Sequence, residues 1–251
     1  MVGPVTKPFL ILQLRPETEA SDDEYAAILR KGGLSAEQTH RIRLDQEPVT
    51  DDLDLLDYAG VIVGGGPGCV SDSDSAKSNL DRQIEQGVMG LMPEITARDL
   101  PFMGCCYGIG ILGHHLGAPV TKERYSEPVG TADCALTDAG RVDPLLAGLP
   151  EQFKAFVGHK EAVQDLPEGV DHLIASPTCP YQMIRHGQNV YATQFHPEAD
   201  AAGFEVRIRI YKDKGYFPPE DADRLIEMCR SVTVDVPEQI LANFVARYSG
   251  G

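Results

Sequence analysis

The sequence predicts an α/β fold, a mostly parallel sheet wound with helices on both faces. Three observations carry that expectation. Short, continuous apolar runs at residues 9–14, 61–63 and 100–103 read as strands buried on both sides. Two of them run into small-residue turns, Gly64-Gly65-Gly66-Pro67-Gly68 and Gly104-Cys105-Cys106-Tyr107-Gly108. Between the runs lie stretches with apolar residues at helical spacing, the alternation that builds parallel strands. Ligands of such sheets bind at the carboxyl ends of the strands, and both turns fall there.

The elements follow in order. Arg15-Pro16 ends the first strand, and Ser21-Asp22-Asp23-Glu24 has the spacing of a capping box opening a helix. Tyr25, Ile28 and Leu29 line one face of that helix, and Gly32-Gly33 closes it. Residues 39–44 alternate and read as a second strand; residues 51–58 read as an acidic, amphipathic helical turn before the third strand. Leu80, Ile84 and Val88 predict a helix over 78–89. Residues 120–137 predict antiparallel strands, and 154–157, 172–175, 181–185 and 190–195 further short strands. The carboxyl-terminal part reads as helices over 202–211, 219–229 and 238–248. Pro219, Glu220 and Asp221 suit a first helical turn. The expected organisation is one domain over 1–251, with a core at about 8–200 and a helical extension at about 201–251.

Composition narrows the function. A formal net charge of −16 argues against a nucleic-acid or anionic-membrane surface, which needs basic patches. No apolar run approaches the ~20 residues that span a bilayer, and Met-Val-Gly-Pro-Val-Thr-Lys-Pro has no signal-peptide core. A cytoplasmic location is expected. The six cysteines show no C-x-x-C spacing and predict neither a zinc site nor a disulfide framework.

The turn at 104–108 reads as strand, sharp turn, helix, the arrangement that exposes a nucleophile. Cys106 is the candidate, and the helix amino terminus behind it is expected to lower its thiol pKa. Cys105 belongs to the strand end and should face the core. Far downstream, His196 and Glu198 follow a strand; in extended backbone, residues two apart share a face, so the carboxylate can reach the imidazole. His114-His115 lie on the helix behind Cys106, but adjacent helical positions diverge, so a metal pair there is not expected.

These segments, with Val61-Ile62-Val63-Gly64-Gly65-Gly66-Pro67-Gly68, resemble the class I (triad) glutamine amidotransferases. The segments are closely similar to the amidotransferase domain of GMP synthase; the likeness covers roughly residues 9–198 and keeps the motifs in order. It implies a flavodoxin-like parallel sheet with a small antiparallel sheet. It also implies a nucleophile at Cys106, a general base at His196 and an orienting carboxylate at Glu198. Oxyanion donors would be the N–H groups of Gly66 and Tyr107. Glycine at 64, 65, 66 and 68 would allow positive φ and close approach of substrate. Substrate contacts are implied at Gly65, Gly110 and the segment Gly158-His159-Lys160-Glu161. Two positions depart from the pattern: Gly110 where the family commonly has Gln, and Lys160 where it has Gly. Both belong to the end that recognises the amino-acid part of glutamine.

The resulting expectation is a stand-alone glutamine amidotransferase that hydrolyses the glutamine side-chain amide through a cysteine thioester. It needs no cofactor and no metal, and releases ammonia for a separate synthetase or acceptor protein. The departures at Gly110 and Lys160 keep open a γ-glutamyl peptide hydrolase with the same triad. A non-catalytic regulatory homologue is the third reading. Arg207, Arg209, Tyr211, Lys212 and Lys214 form a basic helix that reads first as a solvated face and second as a lid or docking surface.

Overall fold

The computed structural model describes residues 7–250. Residues 1–6, which include most of the amino-terminal stretch discussed above, lie outside the described residues.

Five parallel strands form the centre of the molecule: β1 (Phe9–Gln13), β2 (Thr39–Arg43), β3 (Gly60–Val63), β4 (Phe102–Cys105) and, late in the chain, a strand at Val190–Thr193. The intervening strands are β5 (Val120–Thr121), β6 (Glu127–Leu136), β7 (Gln152–His159), β8 (Ala162–Val163), β9 (Val170–Ala175) and β10 (Met183–His186), which makes Val190–Thr193 β11. The large sheet has the order β2-β1-β3-β4-β11-β10-β9-β6-β7, and β5 pairs with β8 as the small antiparallel sheet. From β10 onward the large sheet is antiparallel. The strands expected after residue 120 therefore mostly prolong the main sheet.

Side chains alternate along each central strand, so the sheet has two cores. On one face Phe9, Ile11, Ile62, Met103 and Tyr191 meet α1 (Thr18–Gly32). On the other Leu10, Leu12, Val61, Val63 and Val190 meet α2 (Asn79–Met89), α3 (Met92–Arg98) and α4 (Tyr107–His115). A short helix, α5 (Asp138–Val142), packs beside β9. The chain ends in α6 (Ala201–Tyr211), α7 (Ala222–Ser231) and α8 (Pro237–Tyr248). α8 completes the first core with Ile240, Leu241, Phe244 and Val245, all fully buried. α6 and α7 form a third cluster over Phe156 of β7.

Local expectations fail at three places. α1 opens at Thr18 with Glu17 at its cap, so Ser21 and Glu24 are inside the helix and no capping box forms there. Both are buried, and the Ser21 carbonyl accepts from Gln13 Nε2 at 2.5 Å. The acidic stretch at 51–58 gives only a 3-10 turn at Leu55–Asp57, capped by Asp54. Leu80, in the first turn of α2, is 38% exposed, and the buried stripe begins at Ile84.

Because α8 closes the core beside β1, its loss should be felt globally. Phe244→Ala is expected to cost about 3–5 kcal/mol, read as a lower midpoint of a single chemical-denaturation transition.

Candidate active site

β1, β3, β4 and β11 are adjacent and parallel, so the turns that follow them emerge at one edge. That edge collects Arg15 after β1, the glycine loop after β3, Cys106 after β4, and the 194–198 segment after β11. Cys106 N–H donates to the Thr193 carbonyl at 2.7 Å, and Thr193 Oγ1 donates to the Phe195 carbonyl at 2.9 Å, fixing the two turns side by side. Cys106 has φ 52° and ψ −89°, a strained conformation for a residue with a Cβ. Such strain costs roughly 1–3 kcal/mol and is held by surrounding structure. The turn stays tight because Gly104 packs on Gly108, where a Cβ would come within 3.1 Å of its backbone. Cys105 points into the core beneath α1 and α8.

His196 Nδ1 lies 2.8 Å from Glu198 Oε1, leaving Nε2 as the nitrogen not engaged by that carboxylate. Glu198 has no exposed surface. Burial pushes its carboxyl pKa up, but His196 and the guanidinium of Arg207, 2.9 Å away, more than offset this and hold it well below the usual carboxylate range. Burial lowers the His196 pKa, so the imidazole is neutral at neutral pH. The Cys106 thiol is pushed up to about 12, first by burial; Arg15 opposes that rise and Glu198 adds to it. The expected lowering by the helix terminus is therefore reversed. The resting group is a thiol.

A second ion pair lies under the first. Arg15 Nε donates to Glu24 Oε1 at 2.9 Å, and the same oxygen accepts from Gly65 N–H at 3.0 Å. The glycine loop is glycine because of crowding: a Cβ on Gly64 would lie 2.2 Å from Glu24 Oε2, and one on Gly65 2.6 Å from the His196 ring. None of Gly64, Gly65, Gly66 and Gly68 has positive φ, so that part of the expectation is replaced by close approach alone.

Two cavities meet at Cys106 and share Gly66, Gly158 and Tyr216. The smaller holds Tyr107, Gly110, His159, Lys160 and Glu161. The larger holds His196 and is walled by α6 and the segment after it. Gly65, expected to touch substrate, lines neither; its N–H is taken by Glu24 and it packs behind His196. The missing side chain at Gly110 leaves no open space. Glu161 accepts from the N–H groups of Val70 and Ser71 at 2.8 and 2.9 Å, and a Cβ on Gly110 would lie 2.9 Å from the same carboxylate. Lys160 Nζ sits 3.9 Å from the Tyr216 ring centroid, a cation–π contact that ties β7 to the 212–218 segment.

His159, Glu127 and Cys179 place possible ligand atoms within 4.8 Å of one another. The hydrogen bonds give them another use. His159 Nε2 faces Glu127 Oε2 and Nδ1 faces the Glu161 carbonyl, both at 2.8 Å. Both ring nitrogens are thus already engaged within the protein. The cluster anchors the end of β7 that carries Lys160 and Glu161.

Arg15, Glu24, Arg207 and Tyr216 were not singled out as site residues from sequence. Arg15 had a signal, a cation directly after an apolar strand, where sites of such sheets lie. Glu24 was hidden by its capping-box spacing. Arg207 was read as part of a solvated basic face, but it is buried against Glu198, and Tyr211 hydrogen-bonds Arg15 and Glu17. Of that stretch, Arg209 is exposed and pairs only within the surface.

The model of the family "Glutamine amidotransferase class-I" matches residues 22–208. The chain belongs to that family. It is 31% identical over 160 residues to the GMP synthase [glutamine-hydrolyzing] of Thermosipho africanus, an alignment covering 63% of this chain and 28% of that protein. Against the enzyme of the same name from Neisseria meningitidis it is 30% identical over 149 residues, 59% of this chain and 26% of that one. The chain thus spans little more than a quarter of those relatives. Among solved structures, a glutamine amidotransferase of Thermotoga maritima superposes with a TM-score of 0.76 at 20% identity, over 97% of this chain and 99% of that one. A glutamine amidotransferase of Methylobacillus flagellatus gives 0.68 at 19% identity, over 97% and 92%. The likeness to these structures is one of fold, and it extends over nearly the whole of this chain. Among the described residues no helix is long and apolar enough to cross a membrane.

Removing one partner of a buried pair leaves an uncompensated charge. Arg207→Met is expected to lower stability by about 3–5 kcal/mol. Arg209→Met, two residues on and 63% exposed in its side chain, should cost no more than about 1 kcal/mol. Urea denaturation of the two variants side by side checks the contrast.

Proposed function

We propose that the chain is a glutamine amidohydrolase acting through Cys106, His196 and Glu198, with the ammonia passed to a separate acceptor. The observation that carries this reading is the neutral His196, held by Glu198 and sharing a cavity with a cysteine on a strained turn. The Cys106 thiol gives its proton to His196 Nε2 as sulfur attacks the side-chain amide carbon. The N–H groups of Gly66 and Tyr107 receive the oxyanion, Tyr107 N–H being free as the first of α4. His196 returns the proton to the nitrogen as the C–N bond breaks, releasing ammonia and leaving a thioester. Water, deprotonated by His196, then frees glutamate. Glu198 fixes the tautomer and balances the transient imidazolium.

A separate acceptor fits the relatives named GMP synthase, in which the matching segment is a minor part of a longer chain. The acyl end of the site suits glutamine itself, because Glu161 fills the room beside Gly110.

A diazo-ketone glutamine analogue should label Cys106, and Cys106→Ala should abolish glutamine hydrolysis, whereas Cys105→Ala should change stability alone. Peptide mapping that finds the label only on Cys105 would overturn the assignment. The pH profile has a definite sign. The base must be neutral and its pKa is lowered from 6.5, so kcat/KM for glutamine should hold at neutral pH and fall on acidification with a midpoint below that value. A midpoint above it would require another base.

A further inference from the structure

We propose that the larger cavity is a leaving-group site, and that the preferred substrates are γ-glutamyl amides whose amine carries an apolar or aromatic substituent. This rests on the Cys106 reading above and specifies which amide that site cleaves.

The two cavities divide the chemistry. The acyl chain of a γ-glutamyl thioester must extend one way from Cys106, and the departing nitrogen must face the group that protonates it. His196 lines only the larger cavity, whereas the polar groups suited to an amino-acid end, Lys160 and Glu161, line only the smaller. The leaving nitrogen therefore sits at the mouth of the larger cavity, and anything bonded to it extends inside.

Size and lining then choose the substituent. Ammonia is about as large as water, whose share of liquid volume is ~30 Å³. Counting space open to solvent, the larger cavity spans about 430 Å³ and the smaller about 340 Å³. Its walls are chiefly Val129, Phe204, Ile208, Tyr211 and Phe217. Such a surface does nothing for ammonia but removes a hydrocarbon group from water at roughly 25 cal/mol per Å². The cations at its edge each face a carboxylate, Arg15 with Glu24 and Arg207 with Glu198, and among the described residues Arg207 Nε and Nη1 are buried without a hydrogen-bond partner. Part of the wall, Tyr211, Tyr216 and Phe217, comes from the stretch beyond residue 208, where the family match ends. Enlargement of the substrate on the acyl side is opposed by Glu161, which leaves the amine side as the one with room.

The reaction balances with water alone. The Cys106 sulfur bonds to the amide carbon, the C–N bond breaks, and the amine leaves with the proton held by His196. Water hydrolyses the thioester to glutamate.

The test compares kcat/KM for glutamine and for γ-glutamyl phenethylamide on the wild type, Phe217→Asp and Phe217→Leu. The wild type should favour the phenethylamide by roughly ten-fold or more. Phe217→Asp should cut that preference by about the same factor, and Phe217→Leu should retain most of it. Phe217 is only half-buried, so these variants are expected to fold. Glutamine turnover with an inert phenethylamide, or a preference that Phe217→Asp leaves unmoved, overturns the leaving-group site and spares the glutaminase reading. If neither substrate is turned over and the diazo-ketone fails to label Cys106, both proposals fall together.

Discussion

Glu198 is a carboxylate with no contact with water, and much of the architecture around it follows from the need to compensate its charge. His196 accounts for part of that. The rest comes from Arg207, on a helix that a minimal βαβ sheet would not require. For the guanidinium to arrive, α6 must lie across the carboxyl edge of the sheet, and Phe204, one turn earlier, must pack on Phe156 and against the His196 ring. The carboxyl-terminal helices are thus tied to the candidate chemistry by electrostatics as well as by burial. A buried ion pair contributes little net stability, yet it fixes geometry, because any misplacement leaves an unpaired charge in a medium of low dielectric.

The same constraint acts on the opposite side of the histidine. Glu24 is buried inside α1 and is compensated by Arg15 and by the Gly65 N–H. The glycine loop is therefore pulled down onto a carboxylate, and its backbone lies against His196 with no room for side chains. Burial keeps the imidazole uncharged against the pull of Glu198, and the nearby Arg207 and Arg15 act in the same direction as burial. The thiol is also protonated at rest, so both groups are uncharged in the resting site.

Substrate selection is arranged differently from what the altered motif positions suggest in isolation. A glycine at 110 looks like added space, but it is the complement of Glu161, whose carboxylate occupies that place while holding the Val70 and Ser71 amides. Lys160 looks like a cation awaiting an anion, but it stacks over Tyr216 and so secures the segment that roofs both cavities. These contacts bound the smaller cavity, and the larger lies on the side of His196.

The sequence by itself determined the class of fold, the parallel strands, and the pairing of His196 with Glu198, because these follow from local period: continuous apolar runs, helical spacing and two-residue alternation. The choice of Cys106 over Cys105 rests on the resemblance, whose motif puts the nucleophile third in the string 104–108; in the structure Cys105 joins the core and Cys106 lines both cavities. Tertiary structure alone decided the rest. The role of Glu24 depends on a loop some forty residues away, and that of Arg207 on the carboxylate it meets when α6 folds back. The thiol pKa depends first on burial, which no local pattern reports. The division of the site into two cavities requires β7, the cysteine turn and the 212–218 segment to converge, and side chains so distant in sequence are brought together only by packing.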